Sequence, residues 1–214
     1  MPTFVAVLTH PFIQNLNTRL KQPLPGIEAQ FEMAHINREK IDISNLNISD
    51  YRKSAVLLLL IKRGADFIIP LTERHSYKGV HSGQISLPGG KQDLNDADLM
   101  QTALRECKEE IGLGDYIEVL GELTPVFIPV SKFIVHPYVA VFNSSEPMYN
   151  LDATEVKSLL ELSTADLINP ALVNHTTVEP SPGYKLKTPY FDVQGKIVWG
   201  ATAMILSEFK KLLY

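Results

Sequence analysis

The stretch Leu87–Leu113 reads LPGGKQDLNDADLMQTALRECKEEIGL, and the fold turns on it. A Pro-Gly-Gly turn opens the stretch and an amphipathic helix closes it. Met100, Ala103, Leu104, Cys107 and Ile111 recur at spacings of 3, 1, 3 and 4, the stripe a helix turns toward a core. Asn95 or Asp96 is expected as N-cap and Gly112 as the residue that ends the helix. The remaining face carries Arg105, Glu106, Glu109 and Glu110. Glu106 has acidic partners at i+3 and i+4, so the three carboxylates share one face, expected to point away from the core. Three like charges crowded there repel one another, and acids in the C-terminal half of a helix oppose its dipole. A divalent cation reverses that balance, because Mg²⁺ and Mn²⁺ take oxygen ligands and occur in phosphate-handling sites.

Outward from this stretch, the chain alternates strand signals with a few helices. Residues 54–62 form a continuous apolar run, read as a strand buried on both faces, with residues 66–71 as its partner across Arg63-Gly64-Ala65. Residues 74–84 lack a period and read as a loop, and 85–87 as a short strand entering the glycines. After the helix, 116–123, 127–130 and 134–142 read as strands. Pro137 marks the last of these as an edge or a bulge. Pro125 and Pro129 frame a loop able to reach over the site. Thr164 is expected to cap a short helix. Residues 170–190, with Pro170, Pro180, Pro182, Gly183 and Pro189, read as a long loop. Residues 190–193 and 196–198 form a hairpin across Gln194-Gly195, and a terminal helix follows Trp199. Residues 1–50 read as an N-terminal extension packing on the core, with Pro11 interrupting a helical pattern, and 51–214 as the main domain. One central and one terminal helix with mixed strands imply an α/β fold with helices on both faces of a mixed sheet.

Arg105-Glu106-Cys107-Lys108-Glu109-Glu110-Ile111-Gly112-Leu113 resembles the second half of the Nudix box. Asp96 lies one residue further from the Arg than the commonest form of the box places its acid. That longer spacing, with Asp93 and Asp96, resembles the branch of Nudix hydrolases that cleaves coenzyme A. The upstream run Leu71-Thr72-Glu73-Arg74, then His81-Ser82-Gly83-Gln84-Ile85-Ser86-Leu87-Pro88-Gly89-Gly90, is similar to that branch's additional motif. Two positions depart: Leu87 stands where Phe is usual, and Gly79 where Arg is usual, beside Lys78. The segment PLPGIEAQFEMAH, upstream of the box, also resembles bacterial members of the branch. The resemblance spans roughly Ser54 to the C-terminus and implies an α/β/α sandwich with a mixed central sheet.

It also implies a chemistry. Cleaving a pyrophosphate requires neutralising charge on phosphoryl oxygens and aligning a water, and divalent ions do both. By resemblance, Glu106 and Glu110 are the core ligands of Mg²⁺ or Mn²⁺, with a backbone carbonyl near Gly89-Gly90 completing the shell. Glu109 shares a second ion or takes the proton from water, and Arg105 orients a glutamate through a bidentate pair. Glu155 stands as a further ligand, as the base, or as a surface residue on a turn. Arg74, Lys78 and His81 are placed to grip substrate phosphates, although a loop histidine bonded to backbone is an equal reading of His81. Asp93 and Asp96 read as turn-forming and capping residues, and Cys107 as core.

The expected activity is metal-dependent hydrolysis of coenzyme A or its derivatives, giving 4′-phosphopantetheine and adenosine 3′,5′-bisphosphate. The alternatives are another nucleoside diphosphate derivative, ADP-ribose or NADH, and a non-catalytic nucleotide-binding Nudix module. Composition agrees with a globular protein: the 214 residues are 45% hydrophobic and 21% charged. A net charge of −4 with no basic block argues against nucleic acid as a partner. The longest apolar run is too short to span a bilayer, and no basic segment precedes the first apolar residues. The single cysteine fits a reducing compartment, so the cytoplasm is expected. A coenzyme A-like small molecule is the expected partner, with a homodimer left open.

Overall fold

The computed structural model describes residues 7–41, 43, 46–47, 50–75, 84–144, 146–181 and 183–214. Its centre is β1 (Arg52–Arg63), where Ala55, Leu57, Leu58, Leu59 and Leu60 are fully buried. Alternate side chains leave a strand on opposite faces, and here both faces are covered. Leu58 and Leu60 join a cluster containing Phe209 and Leu206, while Ala55, Leu57, Leu59 and Ile61 join one containing Ala103, Cys107 and Ile111. Truncating one such leucine to alanine is expected to cost about 2–5 kcal/mol.

β1 pairs antiparallel with β2 (Asp66–Arg74) and, at its other end, with β4 (Gly89–Lys91). β3 (Ile85–Ser86) lies beyond β2. α3 (Leu99–Ile111) crosses one face of this sheet, and its stripe of Ala103, Cys107 and Ile111 is buried against it. β5 (Ile117–Glu122) and β6 (Val126–Ile128) both pair antiparallel with β7 (Phe133–Phe142), which runs parallel to β1. β8 (Val156–Ser163) pairs with β2 and leads into α4 (Thr164–Ile168). β9 (Val173–Ser181), β10 (Tyr184–Val193) and β11 (Lys196–Val198) form a second, antiparallel sheet. α5 (Gly200–Lys211) closes the other face of the main sheet. α1 (Pro11–Arg19) and the stretch after α2 (Gly26–Phe31) bury Ile13, Leu16 and Met33 in the α5-side cluster. The result is a mixed sheet between two helical layers, as the sequence implies.

Several local expectations are corrected. Asp98 caps α3 by accepting from the Gln101 N–H, so neither Asn95 nor Asp96 does. Gly112 ends it as expected, with φ of 78°. Pro11 begins α1 rather than breaking it, because the first turn needs no N–H. Pro137 sits in a strand paired on both sides. It is tolerated because β5 ends opposite Tyr138 and β6 begins opposite Val135, so its missing N–H falls in the gap between them. Between Pro125 and Pro129 the chain is β6, paired with β7, rather than a loop reaching over the site. Residues 173–181 and 184–193 are a hairpin, not a loop: its prolines occupy strands of the small second sheet. Ser163, not Thr164, caps α4. Among the described residues, no helix is long and apolar enough to cross a membrane.

Candidate active site

The site forms where β4 passes beneath α3. Ser54, Ala55 and Val56 of β1 pair with Lys91, Gly90 and Gly89. A side chain at Gly90 would overlap the Glu106 carboxylate, so glycine is what lets the helix acid descend onto the sheet. One turn on, Glu110 also turns inward. Its side chain is 3% exposed, contrary to the expectation that all three acids face away from the core. The Gly89 N–H donates to its Oε2 at 3.3 Å, and Arg74 Nη2 to its Oε1 at 3.0 Å. Arg74, at the end of β2, also reaches Glu155 Oε2 at 3.5 Å. Glu155 precedes β8 and is 54% exposed on its side chain. The Asp152 N–H donates to the Glu110 carbonyl, tying that turn to the end of α3. Pairing of β2 with β8 thus brings Arg74, Glu110 and Glu155 together from three distant parts of the chain.

Arg105 organises the other half. Its fork is aimed at Asp96, with Nε to Oδ1 and Nη2 to Oδ2 both at 2.9 Å. Nη2 also donates to the Lys91 carbonyl, which fixes the guanidinium to β4. Nη1 is shared between Glu106 Oε1 at 2.9 Å and Glu109 Oε2 at 2.8 Å. The expected bidentate pair therefore exists, but with Asp96 and not with a glutamate. Asp96 is 5% exposed on its side chain and also accepts from the Thr102 hydroxyl and the Asp93 N–H. Its role as a partner of Arg105 was the residue assignment missed from sequence. The available signal was an acid at a fixed distance before the arginine, and capping competed with it as an explanation.

The electrostatics follow from this geometry. The Arg105 guanidinium holds the Asp96 carboxyl well below the usual carboxylate range. Burial pushes Glu106 up, against the pull of Arg105, and the charges of Glu109 and Glu155 push it further. Burial raises Glu110 to about 7, despite Arg74 and the Gly89 N–H. The charged form of the inner pair is thus under-compensated by the protein alone, the condition a bound cation relieves. The donors are all carboxylate or carbonyl oxygen, which fits Mg²⁺ or Mn²⁺. Cys107 is no competitor, since burial pushes its thiol up to about 12. Among the described residues no three acids, imidazoles or thiols converge closely enough to form a ready-made metal site, and Arg74 and Arg105 pair with Glu110 and Glu106 there. Of the other expected residues, Lys78 and His81, with Gly79, lie outside the described residues.

Residues 50–176 match the family model described as the NUDIX domain. The uncharacterized Nudix hydrolase NudL of Yersinia pestis (strain Pestoides F) is 30% identical over 190 residues, covering 84% of this chain and 94% of the relative. NudL of Yersinia pseudotuberculosis serotype O:1b (strain IP 31758) matches at the same identity and coverage. Among solved structures, the NUDIX domain of Shewanella oneidensis NrtR, complexed with ADP ribose, superposes with a TM-score of 0.51 at 16% identity. That match covers 80% of this chain and 96% of the other, and it bears on the fold.

Proposed function

The chain belongs to the Nudix family and is a hydrolase of the pyrophosphatase type, and from that premise we propose that it hydrolyses the pyrophosphate bond of coenzyme A or its acyl derivatives. The products are 4′-phosphopantetheine, or its acyl form, and adenosine 3′,5′-bisphosphate. The observation that carries the reading is the pairing of two arginines with buried Glu110 and half-buried Glu106. Arg74 belongs to the upstream motif that resembles the coenzyme A branch, and its guanidinium donates to Glu110 within the box helix. That contact supports counting the motif as part of the site.

In this reading Glu106 and Glu110 hold Mg²⁺ or Mn²⁺, with a backbone carbonyl near Gly90. When bound, the ion neutralises phosphoryl oxygens and lowers the pKa of a water. The remaining work belongs to the chain. Asp96 keeps the Arg105 fork in place, and Arg105 in turn sets the Glu106 and Glu109 carboxylates. Glu109 and the exposed Glu155 are the candidate bases, since each keeps an oxygen accessible to water. Arg74, which donates to Glu110, carries a charge that would also suit a substrate phosphate. Lys78 and His81 complete the phosphate-gripping set. The single, buried Cys107 supports a reducing, cytoplasmic location.

A second substrate class, ADP-ribose or NADH, is favoured by Gly79 standing where the coenzyme A branch usually has arginine. The intact glutamate set counts against a silent binding module. Turnover of coenzyme A, dephospho-coenzyme A, ADP-ribose and NADH in Mg²⁺ and in Mn²⁺ decides among them. Highest kcat/KM on coenzyme A supports the proposal. Preference for ADP-ribose or NADH moves the substrate, and no turnover of any compound overturns it.

A further inference from the structure

The turn that carries Glu155 is held from two sides. A helix leaves its last carbonyls without partners of its own, and α3 gives two of them to this segment. The Asn150 N–H donates to the Ile111 carbonyl at 3.0 Å, and the Asp152 N–H to the Glu110 carbonyl at 3.1 Å. The seat is close, since a side chain at Gly112 would run into Asn150. On the other side, His75 follows β2, and its Nε2 donates to the Ala153 carbonyl at 3.0 Å. The register between β2 and β8 shifts between Glu73 and Arg74. Arg74 thereby comes opposite Val156, the residue directly after Glu155.

Asp152 closes the turn. Its Oδ1 accepts from the Thr154 N–H at 2.8 Å and from the Thr154 hydroxyl at 2.7 Å. An aspartate bonded to the backbone two residues on is a turn-forming use of this side chain. Its carbonyl accepts from the Glu155 N–H at 3.1 Å and from the Val156 N–H at 2.8 Å. One residue therefore links the carbonyl of Glu110 to the amide of Glu155.

The Glu155 side chain depends on that link. It is 54% exposed, and its ion pair with Arg74 is long, at 3.5 Å. An exposed pair of that length fixes a side chain weakly, so the backbone sets where the carboxylate stands. Burial is the main cause of the raised pKa of Glu106 and of Glu110, and the charge of Glu155 adds to both. Glu155 is thus near enough to act on both glutamates. A negative charge that disfavours two neighbouring carboxylates favours a cation bound among them.

We infer that Asp152 is a positioning residue, whose turn holds the Glu155 carboxylate beside Arg74 and Glu110 for the proposed reaction. The inference rests on the reading of Glu155 as part of the site and deepens it.

The test is a double-mutant cycle read in two ways. Mn²⁺ affinity is measured by titration calorimetry without substrate. The second reading is kcat and KM on coenzyme A, ADP-ribose or NADH, whichever is turned over. The variants are Glu155→Gln, Asp152→Ala, the two together, and Asp152→Asn. Glu155→Gln should weaken Mn²⁺ by roughly three- to tenfold, the effect of one nearby charge. It should lower kcat by roughly tenfold or more with KM little changed. Asp152→Ala should approach both values and add nothing in the Glu155→Gln background. Asp152→Asn loses the charge but keeps the oxygen that Thr154 binds, so it should stay within about twofold of wild type. If Asp152→Ala does not fold, Thr154→Val carries the cycle, with a smaller loss that again vanishes beside Glu155→Gln. Losses that add in the double variant overturn the inference, because the turn then acts without Glu155. So does Asp152→Asn falling as far as Asp152→Ala, which marks an effect of charge alone. Wild-type values in the variant that carries the cycle also overturn it, as does a Glu155→Gln that changes neither reading. Hydrolysis by wild type is scored separately. Without turnover of any diphosphate compound the proposed reaction is overturned and the Mn²⁺ cycle decides this inference. Without Mn²⁺ binding the kcat cycle decides it, and a wild type that shows neither overturns both. Turnover of coenzyme A with an additive cycle keeps the reaction and overturns the inference.

Discussion

Asp96→Asn tests the arrangement most sharply, because the change keeps shape and removes one charge. The native carboxylate takes two nitrogens of Arg105 at 2.9 Å and is itself almost fully covered. A hydrogen bond to a charged group is worth about 1.5–3 kcal/mol. Asparagine can still accept once, and Arg105 is 30% exposed, so water replaces part of the loss. A net cost of about 1.5–3 kcal/mol for the fork is expected, a fall in Tm of roughly 3–12 °C for a chain of this length. Activity should fall further than stability implies. Arg105 released from Asp96 no longer fixes Glu106 and Glu109, and loss of such an outer partner typically costs about 10- to 100-fold. The assay is a thermal melt beside steady-state kinetics in saturating Mn²⁺. Asp98→Ala is the control: it removes the helix cap at about 1 kcal/mol and should spare kcat. If Asp96→Asn leaves both Tm and kcat unchanged, or if Asp98→Ala lowers kcat as much, the reasoning about Arg105 is wrong.

Glu110→Gln should lower kcat by roughly 10²-fold or more while retaining the fold, as expected when a group acting in the transition state is lost; near-normal kcat would remove Glu110 from the ligand set. Gly90→Ala should displace the Glu106 carboxylate and raise the Mn²⁺ concentration needed for half-maximal activity, and an unshifted metal titration would show that the close approach is not needed. Mn²⁺ at 100 times its Kd should stabilise the folded protein by about 2.7 kcal/mol, read as a rise in Tm that EDTA abolishes and Glu110→Gln reduces. Glu73 offers a pH test away from the site. Lys157, Ser158 and Lys196 bond its buried carboxylate and lower its pKa from 4.5 to about 2. Its contribution to stability is present above the unfolded value and lost as pH falls from about 4.5 toward 2. Glu73→Gln should flatten the acid loss of Tm across that window, and an unchanged profile would show that the pair of lysines does not act through Glu73.

What the sequence determined by itself was local and periodic. The apolar stripe of α3, the glycine turn before it, the buried run of β1 and the spacing of Arg105, Glu106, Glu109 and Glu110 depend only on residues within a few turns of one another. Backbone geometry translates such spacings directly into faces, so the helix, its acids and the α/β class were legible without a structure. Pairing between distant segments was not. Glu110 is buried because β4 brings Gly89 beneath it and β2 brings Arg74 beside it. The Arg105 fork found Asp96 rather than a glutamate because the turn before α3 folds back toward the helix, leaving Asp98 to cap it. Prolines that signal loops lie in β7, β9 and β10, where gaps in pairing or the small second sheet leave room for a missing N–H. Asp152 met the end of α3 through a register between β2 and β8 that no spacing along the chain encodes. Each is a long-range contact, decided by how strands align and by which charges lose water together. That information is distributed over the whole sequence and becomes readable only when the chain is folded.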